Sequence, residues 1–482
     1  MSATVSKAAL RERFVGKTLQ EVPTPSIVLD LAKLEVNCQR MIDAAEKNGI
    51  GWRAHIKTHK TEELTRLQVG EHSKAPANII VSTILEAEKI APVLKDFQSK
   101  GRNVNPNSHK VLFAFPLFPS AVSRLAAISK ALGPNTLSVM IDNPAQVPLL
   151  ADFKSQSGGN KPLAFLKIDV KYNRAGAIPG TQTYQDLLKA ILASESEGSC
   201  VLHGLYAHAG QSYYTRKDWD ALMCLTDEFA TLADVAREIR AESPSHELTL
   251  SVGATPTATA LQHPDISSPG GGGGGADGAQ GGETGTRVAT LSTLISSLKA
   301  DSLGLEVHAG VYPTLDLQQL ATHARDNSLL SSGDIAVSVV AEVASLYPGR
   351  GRGGSTEALV NAGSLALGRE PCKEDGEGHY AGWGIVAPWG EAALERSDPA
   401  PREFPAVHRG WQVGKISQEH GVLGWMGPKE AEVPLRFGQR VKIWPNHACI
   451  TGAGYDYYLV VDSRRTGKED EVVDVWPRWN GW

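Results

Sequence analysis

From about residue 25 to residue 317, short β-branched runs alternate with amphipathic stretches of helix length. The runs at 26–30, 53–57, 78–82, 110–115, 137–142, 164–170, 202–208, 247–252 and 305–311 predict strands. Between them, 34–47, 86–97, 119–132 and 219–241 place apolar residues at the spacing of a helix with one buried face. Strict alternation of β and α over about 300 residues predicts parallel strands joined by crossover helices, and that length suits an eight-stranded βα barrel. Nine strand candidates compete for eight places, so 26–30 either leads into the barrel or joins a second domain. A doubly wound open sheet is the other architecture, but no G-x-G-x-x-G follows the first strand.

After residue 326 the pattern changes. Apolar runs at 335–346, 358–362, 410–417, 440–444 and 456–461 are separated by Gly, Pro and charged turns, with no long helical period between them. This predicts an all-β domain. The expected division is a barrel over 21–325 and a β domain over 326–482, with residues 1–20 a further candidate member of the β domain. One segment, about 263–287, contains six consecutive glycines, Gly270 to Gly275. A phosphate-binding loop needs a few glycines at fixed spacing, so this homopolymer reads as a flexible surface insertion. Arg350-Gly-Arg-Gly-Gly354 reads as another exposed loop.

Composition narrows the function. At 482 residues, 41% hydrophobic and 21% charged, the chain is long enough for two ordinary globular domains. A net charge of −5 gives no reason to expect nucleic acid or an anionic membrane as partner. Residues 1–20 lack the apolar core of a secretory signal, and no stretch approaches the roughly 20 apolar residues that span a bilayer. The five cysteines, scattered and odd in number, fit a reduced cytoplasmic chain rather than a disulfide framework.

The chemistry concentrates at predicted strand ends, where βα barrels hold their active sites. Arg53-Ala-His-Ile-Lys-Thr-His-Lys60 sets Lys57 among two histidines and further cations; like charge and partial desolvation would lower its pKa and suit it to Schiff-base formation. By itself the motif is more often a basic loop at a sheet edge. Asp169 leads into Arg174-Ala-Gly176. Tyr206 and His208 precede Gly210-Gln-Ser-Tyr213. Glu306 and His308 precede Gly310 and Tyr312. In Ser251-Val-Gly-Ala-Thr-Pro-Thr257, Gly253 allows close backbone approach, and the turn could hold an anion such as a cofactor monophosphate. Each of these alone could be a turn or a satisfied polar group; their recurrence at one end of successive strands is what a single site would produce. Far downstream, His447 and Cys449 in Trp444-Pro-Asn-His-Ala-Cys-Ile-Thr451 would share a face of an extended strand, a soft donor pair suited to zinc. Two ligands leave a tetrahedral site open, as catalysis requires. Such a pair is also often incidental.

Together, Thr24-Pro-Ser-Ile-Val-Leu-Asp30, residues 53–61, Lys167-Ile-Asp-Val with Arg174-Ala-Gly176, residues 251–257 and residues 444–451 resemble the eukaryotic zinc-dependent D-serine dehydratases. These group with D-threonine aldolases among alanine-racemase-like, fold type III pyridoxal-phosphate enzymes. The resemblance implies that Lys57 carries pyridoxal 5′-phosphate as a Schiff base and later acts as base. It implies that Arg174 lies near the phenolic oxygen and that Gly253, Ala254 and Thr255, with Gly310 and Tyr312, hold the phosphate. Tyr206, Gln211 and Tyr213 would line the pocket, and His447 and Cys449 would bind Zn2+. The implied reaction is β-elimination of D-serine to pyruvate and ammonia by a cytoplasmic homodimer. Cys449 favours the dehydratase branch, since the aldolases typically have His-x-Asp there. An aldolase acting on D-3-hydroxy amino acids, a metal-free racemase of the same fold and a non-catalytic cofactor-binding protein are the alternatives. Two departures from the family pattern stand out: Lys171, where many relatives have glycine, and the Gly-rich insertion.

Overall fold

The computed structural model describes residues 6–100, 109–244, 246–266, 280–326, 328–372, 380–389 and 409–482. The chain divides into two compact units, Met1–Cys38 with Val311–Asn480, and Gln39–Gly310 with Gly481–Trp482.

Strand β1 (Ser26–Asp30) belongs to the first unit. The second unit holds β2 (Gly51–His55), β3 (Asn78–Val81), β4 (Lys110–Pro116), β5 (Leu137–Ile141), β6 (Leu163–Lys167), β7 (Val201–Tyr206), β8 (Thr249–Val252) and β9 (Gly304–Ala309). All pair in parallel, and β2 pairs with β9 to close the barrel. Strands β5 and β6 are buried at every position, as expected when helices cover one face and the barrel interior fills the other. Threonine caps start several of the crossover helices: Thr61, Thr83 and Thr181 each accept the backbone amide three residues on.

Inside the barrel, one apolar layer comes from successive strands: Ile80, Leu112, Met140, Phe165 and Tyr206. A polar cluster straddles the closing seam. Arg53 Nε of β2 lies 2.6 Å from Glu306 Oε1 of β9, both almost fully buried. The Ser251 hydroxyl donates to the same carboxylate at 2.8 Å.

The first unit is the all-β domain. It contains β10 (Val337–Tyr347), β11 (Glu357–Val360), β12 (Gly384–Val386), β13 (Trp411–Ile416), β14 (Gly421–Trp425), β15 (Arg440–Pro445), β16 (Tyr457–Val461) and β17 (Asp474–Pro477). Strands β10, β11, β14, β13, β12 and β15 pair in a closed antiparallel ring. Strand β10 can serve two neighbours on one edge because its ladder shifts between Val343 and Ser345: β1 lies beside the first half and β11 beside the second. The ninth strand candidate is thus β1, antiparallel to β10 and parallel to β16. Helix Lys7–Phe14 packs Leu10 and Phe14 against Val28, Val340 and Leu459 of this sheet. Of the Gly-rich segment, residues 267–279 lie outside the described residues, and helix Gln280–Ala300 begins directly after them. Arg350–Gly354 forms the turn between β10 and β11. Among the described residues, no helix is long and apolar enough to cross a membrane.

The seam cluster makes a stability prediction. Glu306→Ala leaves the Arg53 guanidinium buried without its counter-charge, so the barrel's denaturant-unfolding transition should lose about 3–5 kcal/mol.

Candidate active site

The barrel mouth is built from residues just beyond the strand ends. Strand β2 stops at His55, two residues before the expected end, and Lys57 sits in the turn that follows. The crowd of cations inferred around it is not what surrounds it. Arg53 is paired with Glu306, and Lys60 Nζ lies 3.0 Å from the fully buried Glu86 carboxylate. His59 is held between Thr61 and Gln68. Burial keeps His55 neutral, its pKa well below the ordinary value, with the Lys57 charge adding to the effect. The sequence shows charges but not which of them fold against a partner.

The next loops converge on the same mouth. Past β6, Ala177 N–H returns to the Lys167 carbonyl at 2.8 Å, and Asn173 N–H donates to the Asp169 carboxylate at 3.0 Å. Lys171 adopts φ 68°, a left-handed conformation that favours glycine, so the departure from the family pattern falls where the backbone is least tolerant of a side chain. Arg174 is exposed, with its guanidinium 5.3 Å from the Tyr172 ring centre. Lys167 itself, at the end of β6, is 5% exposed and lies 4.8 Å from the Tyr206 ring centre. Burial, reinforced by Arg174, lowers its pKa to about 8.

At the end of β7, Tyr206 stacks on His308 of β9 with ring centres 4.3 Å apart and planes 10° from parallel. His208 forms a 2.8 Å hydrogen bond with the Gly253 carbonyl through Nδ1. Burial, then the charges of Arg174 and Lys57, push its pKa down to about 3, so the ring is neutral. Gln211 Nε2 donates to the Val170 carbonyl at 3.0 Å, tying the β7 loop to the β6 loop. Tyr213 lies half-buried in the short turn Gly210–Tyr214.

Past β8, Gly253 has φ 144°, and a Cβ there would lie 2.3 Å from the His308 carbonyl oxygen. The expectation that this turn offers its amides to a phosphate is narrowed. Gly253 N–H donates to Glu228, at 3.2 Å, and Ala254 N–H donates to the Thr257 hydroxyl, at 2.8 Å. Thr255 opens the helix Thr255–Ala260. Gly310, just past β9, runs close to His55: a Cβ would stand 3.1 Å from the His55 carbonyl oxygen. The barrel therefore brings together Lys57, Arg174, Tyr206, Gln211, Tyr213, Gly253, Ala254, Thr255 and Gly310 at the ends of β2, β6, β7, β8 and β9.

Tyr312, His447 and Cys449 belong to the other unit. Tyr312 is buried there, with its hydroxyl beside the Cys38 thiol. The expected extended strand through His447 and Cys449 is corrected. Strand β15 ends at Pro445, His447 is the N-cap residue of helix Ala448–Ala453, and Cys449 lies in its first turn. The two side chains still meet. Burial alone would lower the His447 pKa, but the hydrogen bond to Cys449 and the nearby negative charges of Cys449 and Asp316 raise it to about 9. His447 supplies no cap to its own helix. Asp316 does so instead, Oδ2 accepting from Ala448 N–H and Oδ1 from Gln319 N–H, both at 2.8 Å. One carboxylate thus fixes two helix starts beside the donor pair. His447 Nδ1 is buried without a hydrogen-bond partner. Among the described residues, no cluster of three or more His, Cys, Asp or Glu side chains is arranged to hold a metal.

Sequence reasoning missed Glu228 and Asp316. Both left signals: Glu228 occupies an apolar-face position, between Leu225 and Leu232, of helix Asp218–Glu242, and Asp316 precedes a helix start as an N-cap should.

A family model described as "Putative serine dehydratase domain" matches residues 336–461. The D-serine dehydratase of Schizosaccharomyces pombe (strain 972) is 36% identical over 481 residues, spanning 99% of this chain and 96% of that protein. The chain belongs to the D-serine dehydratase family. The Saccharomyces cerevisiae D-serine dehydratase is 31% identical over 98% of this chain and 99% of its own length. The solved D-threo-3-hydroxyaspartate dehydratase of Delftia sp. HT23 superposes with a TM-score of 0.69 at 25% identity, covering 97% of this chain and 100% of that one. The family's alanine-racemase-like architecture, a parallel barrel with an all-β domain, is the one described above. These relatives are lyases, and this chain is an enzyme of that class.

Asp316→Ala should free both helix starts and lower the stability of the all-β unit by about 1–2 kcal/mol per lost cap, read from thermal unfolding of the full chain.

Proposed function

We propose that this lyase is a pyridoxal 5′-phosphate- and zinc-dependent D-serine dehydratase that converts D-serine to pyruvate and ammonia by β-elimination. The observation that carries the reading is Lys57 in the barrel mouth of a chain 36% identical, almost end to end, to a protein of that name. The residues present suit both groups. Gly253, with φ 144°, lets the turn after β8 pack directly on the His308 backbone, and Thr255 starts a short helix beside it, a backbone turn of the kind that can take a phosphate. A thiol beside an imidazole whose Nδ1 lacks a partner suits a soft divalent ion. Two protein donors leave room for water or substrate.

When bound, the cofactor supplies an electron sink for the Cα–H bond, and zinc supplies a Lewis acid for the departing β-hydroxyl. Lys57 Nζ would carry the cofactor and, once displaced by the substrate amine, take the Cα proton. Arg174 would set its fixed charge toward the phenolic oxygen, and Tyr206, Gln211 and Tyr213 would face cofactor or substrate. Residues 253–255, with Gly310 and Tyr312, would hold the phosphate. His55, His208 and His308 are buried with depressed pKa values. As neutral imidazoles they leave Lys57, Lys167 and Arg174 as the cations answering an anionic ligand. His447 and Cys449 would hold the metal. Five cysteines outside disulfides suit the cytoplasm. A homodimer with a small D-amino acid as substrate completes the reading.

The purified protein should show a visible-range absorbance that D-serine perturbs and that Lys57→Ala abolishes, with activity falling by about 10²–10⁴-fold or more. A colourless wild type would sink the cofactor assignment. Pyruvate release should stop with EDTA, return with zinc and fall about 10²-fold or more in Cys449→Ala, as loss of a Lewis acid implies. Release of glycine and an aldehyde instead of pyruvate would identify an aldolase.

A further inference from the structure

Glu228 lies in the middle of helix Asp218–Glu242 and is completely buried. A carboxyl group is costly at such a position unless hydrogen bonds compensate. Its Oε1 accepts two backbone amides, Ala209 N–H at 2.7 Å and Gly253 N–H at 3.2 Å. One amide belongs to the loop after β7 and the other to the turn after β8. The Gly253 peptide is thereby held at both ends, since its carbonyl meets His208. Oε2 makes no hydrogen bond of good geometry, although the Thr257 hydroxyl lies beside the carboxyl group.

We propose that Glu228 is the positioning residue of the barrel mouth: it clamps the turn at residues 253–257 to the loop that follows Tyr206 and so sets how the turn receives a phosphate. The clamp stands on geometry alone; its consequence for the phosphate rests on the cofactor reading above. Glu228 would act through the turn, since its Oε1 is taken up by the Ala209 and Gly253 amides.

The electrostatic surroundings give the clamp a pH signature. Burial raises the Glu228 pKa from 4.5 to about 7, partly offset by the two amides, the Thr257 hydroxyl and the charge of Lys167. The groups facing it are Lys167 at the end of β6, Tyr206 of β7 and Cys224 one turn earlier on its own helix. The helix Thr255–Ala260 and the turn Gly210–Tyr214 carry no charged side chain. On helix Gln280–Ala300, packed along the same helix, Glu283 and Arg287 pair with each other and Lys299 bonds the Asn48 carbonyl. Ionised Glu228 is the stronger acceptor, so the clamp tightens as pH rises from 6 to 8. Global stability moves the other way. With a raised carboxylate pKa, the folded chain binds more protons than the unfolded one between pH 4.5 and about 7, so stability falls as pH rises through that window. A buried carboxyl group that did not hold the turn would give the stability trend but leave the exchange of the turn independent of pH.

The test is hydrogen–deuterium exchange of peptides covering residues 253–257 in the full-length enzyme, corrected for intrinsic rates, alongside the dissociation constant for pyridoxal 5′-phosphate. Glu228→Ala should speed exchange of the turn and weaken cofactor binding, each by about ten-fold or more, as expected for lost bonds to an ionised acceptor. Glu228→Gln keeps an acceptor oxygen, so it should retain most of the protection but lose its pH dependence between 6 and 8. Unchanged exchange and unchanged cofactor affinity in a folded Glu228→Ala protein would overturn the proposal. If that variant does not fold, Glu228→Gln decides: a pH dependence identical to wild type would overturn it. A wild type that binds no pyridoxal 5′-phosphate would defeat the cofactor reading, while the exchange data still judge the clamp.

Discussion

The barrel depends on the seam where β2 meets β9. Closing a parallel sheet on itself brings together residues about 250 positions apart, and nothing local enforces that pairing. Here the seam carries a buried ion pair, Arg53 with Glu306, extended by Ser251 of β8 and by Asn78 of β3, whose amide lies 3.5 Å from Glu306 Oε2. A buried charge without its partner costs several kcal/mol, so a slipped register is penalised strongly. The candidate site residues inherit their positions from this closure. Lys57 follows β2 by two residues, and His308 and Gly310 close β9. The stack of His308 on Tyr206 carries the same constraint across to β7.

Carboxylates recur as fixed points in both units, and each accepts backbone amides. Glu86 accepts from Ser82 N–H and pairs with Lys60 next to the Lys57 turn. Glu228 joins two mouth loops, and Asp316 joins two helix starts next to His447 and Cys449. All three are completely buried. Loops that carry chemistry have few apolar contacts to hold them, and a buried carboxylate bonded to amides supplies directional support where packing cannot. Candidate site residues such as Lys57 and Arg174 can then remain partly exposed without losing their place.

The alternation of short apolar runs and amphipathic stretches was enough to read the parallel barrel, because period-2 and period-3.6 patterns report local burial directly. The strand ends erred by only a few residues. The lysine, the arginine and the glycine turn fall beyond strand ends, where the sequence set them, and the His-x-Cys spacing was visible although its strand was not, since each is a local motif. Strands β12, β14 and β17 were missed. Gly384–Val386 is only three residues long, and Gly421–Trp425 contains two glycines, so neither carries a clear apolar period.

What the sequence alone could not determine is which groups meet. It presented Lys57 inside a cluster of cations, and folding removed that cluster by pairing Arg53 and Lys60 with acids more than 25 residues away and by burying His55 neutral. It set His447 and Cys449 on an extended strand, and the fold began a helix there, with its start capped by Asp316 from 132 positions away. It left 26–30 between two domains, and hydrogen bonding to β10 and β16 decided the matter. Periodicity and motif chemistry are local properties of a chain, so the sequence states them outright. Charge state, capping and strand partnership arise from long-range contacts, and only the tertiary structure supplies those.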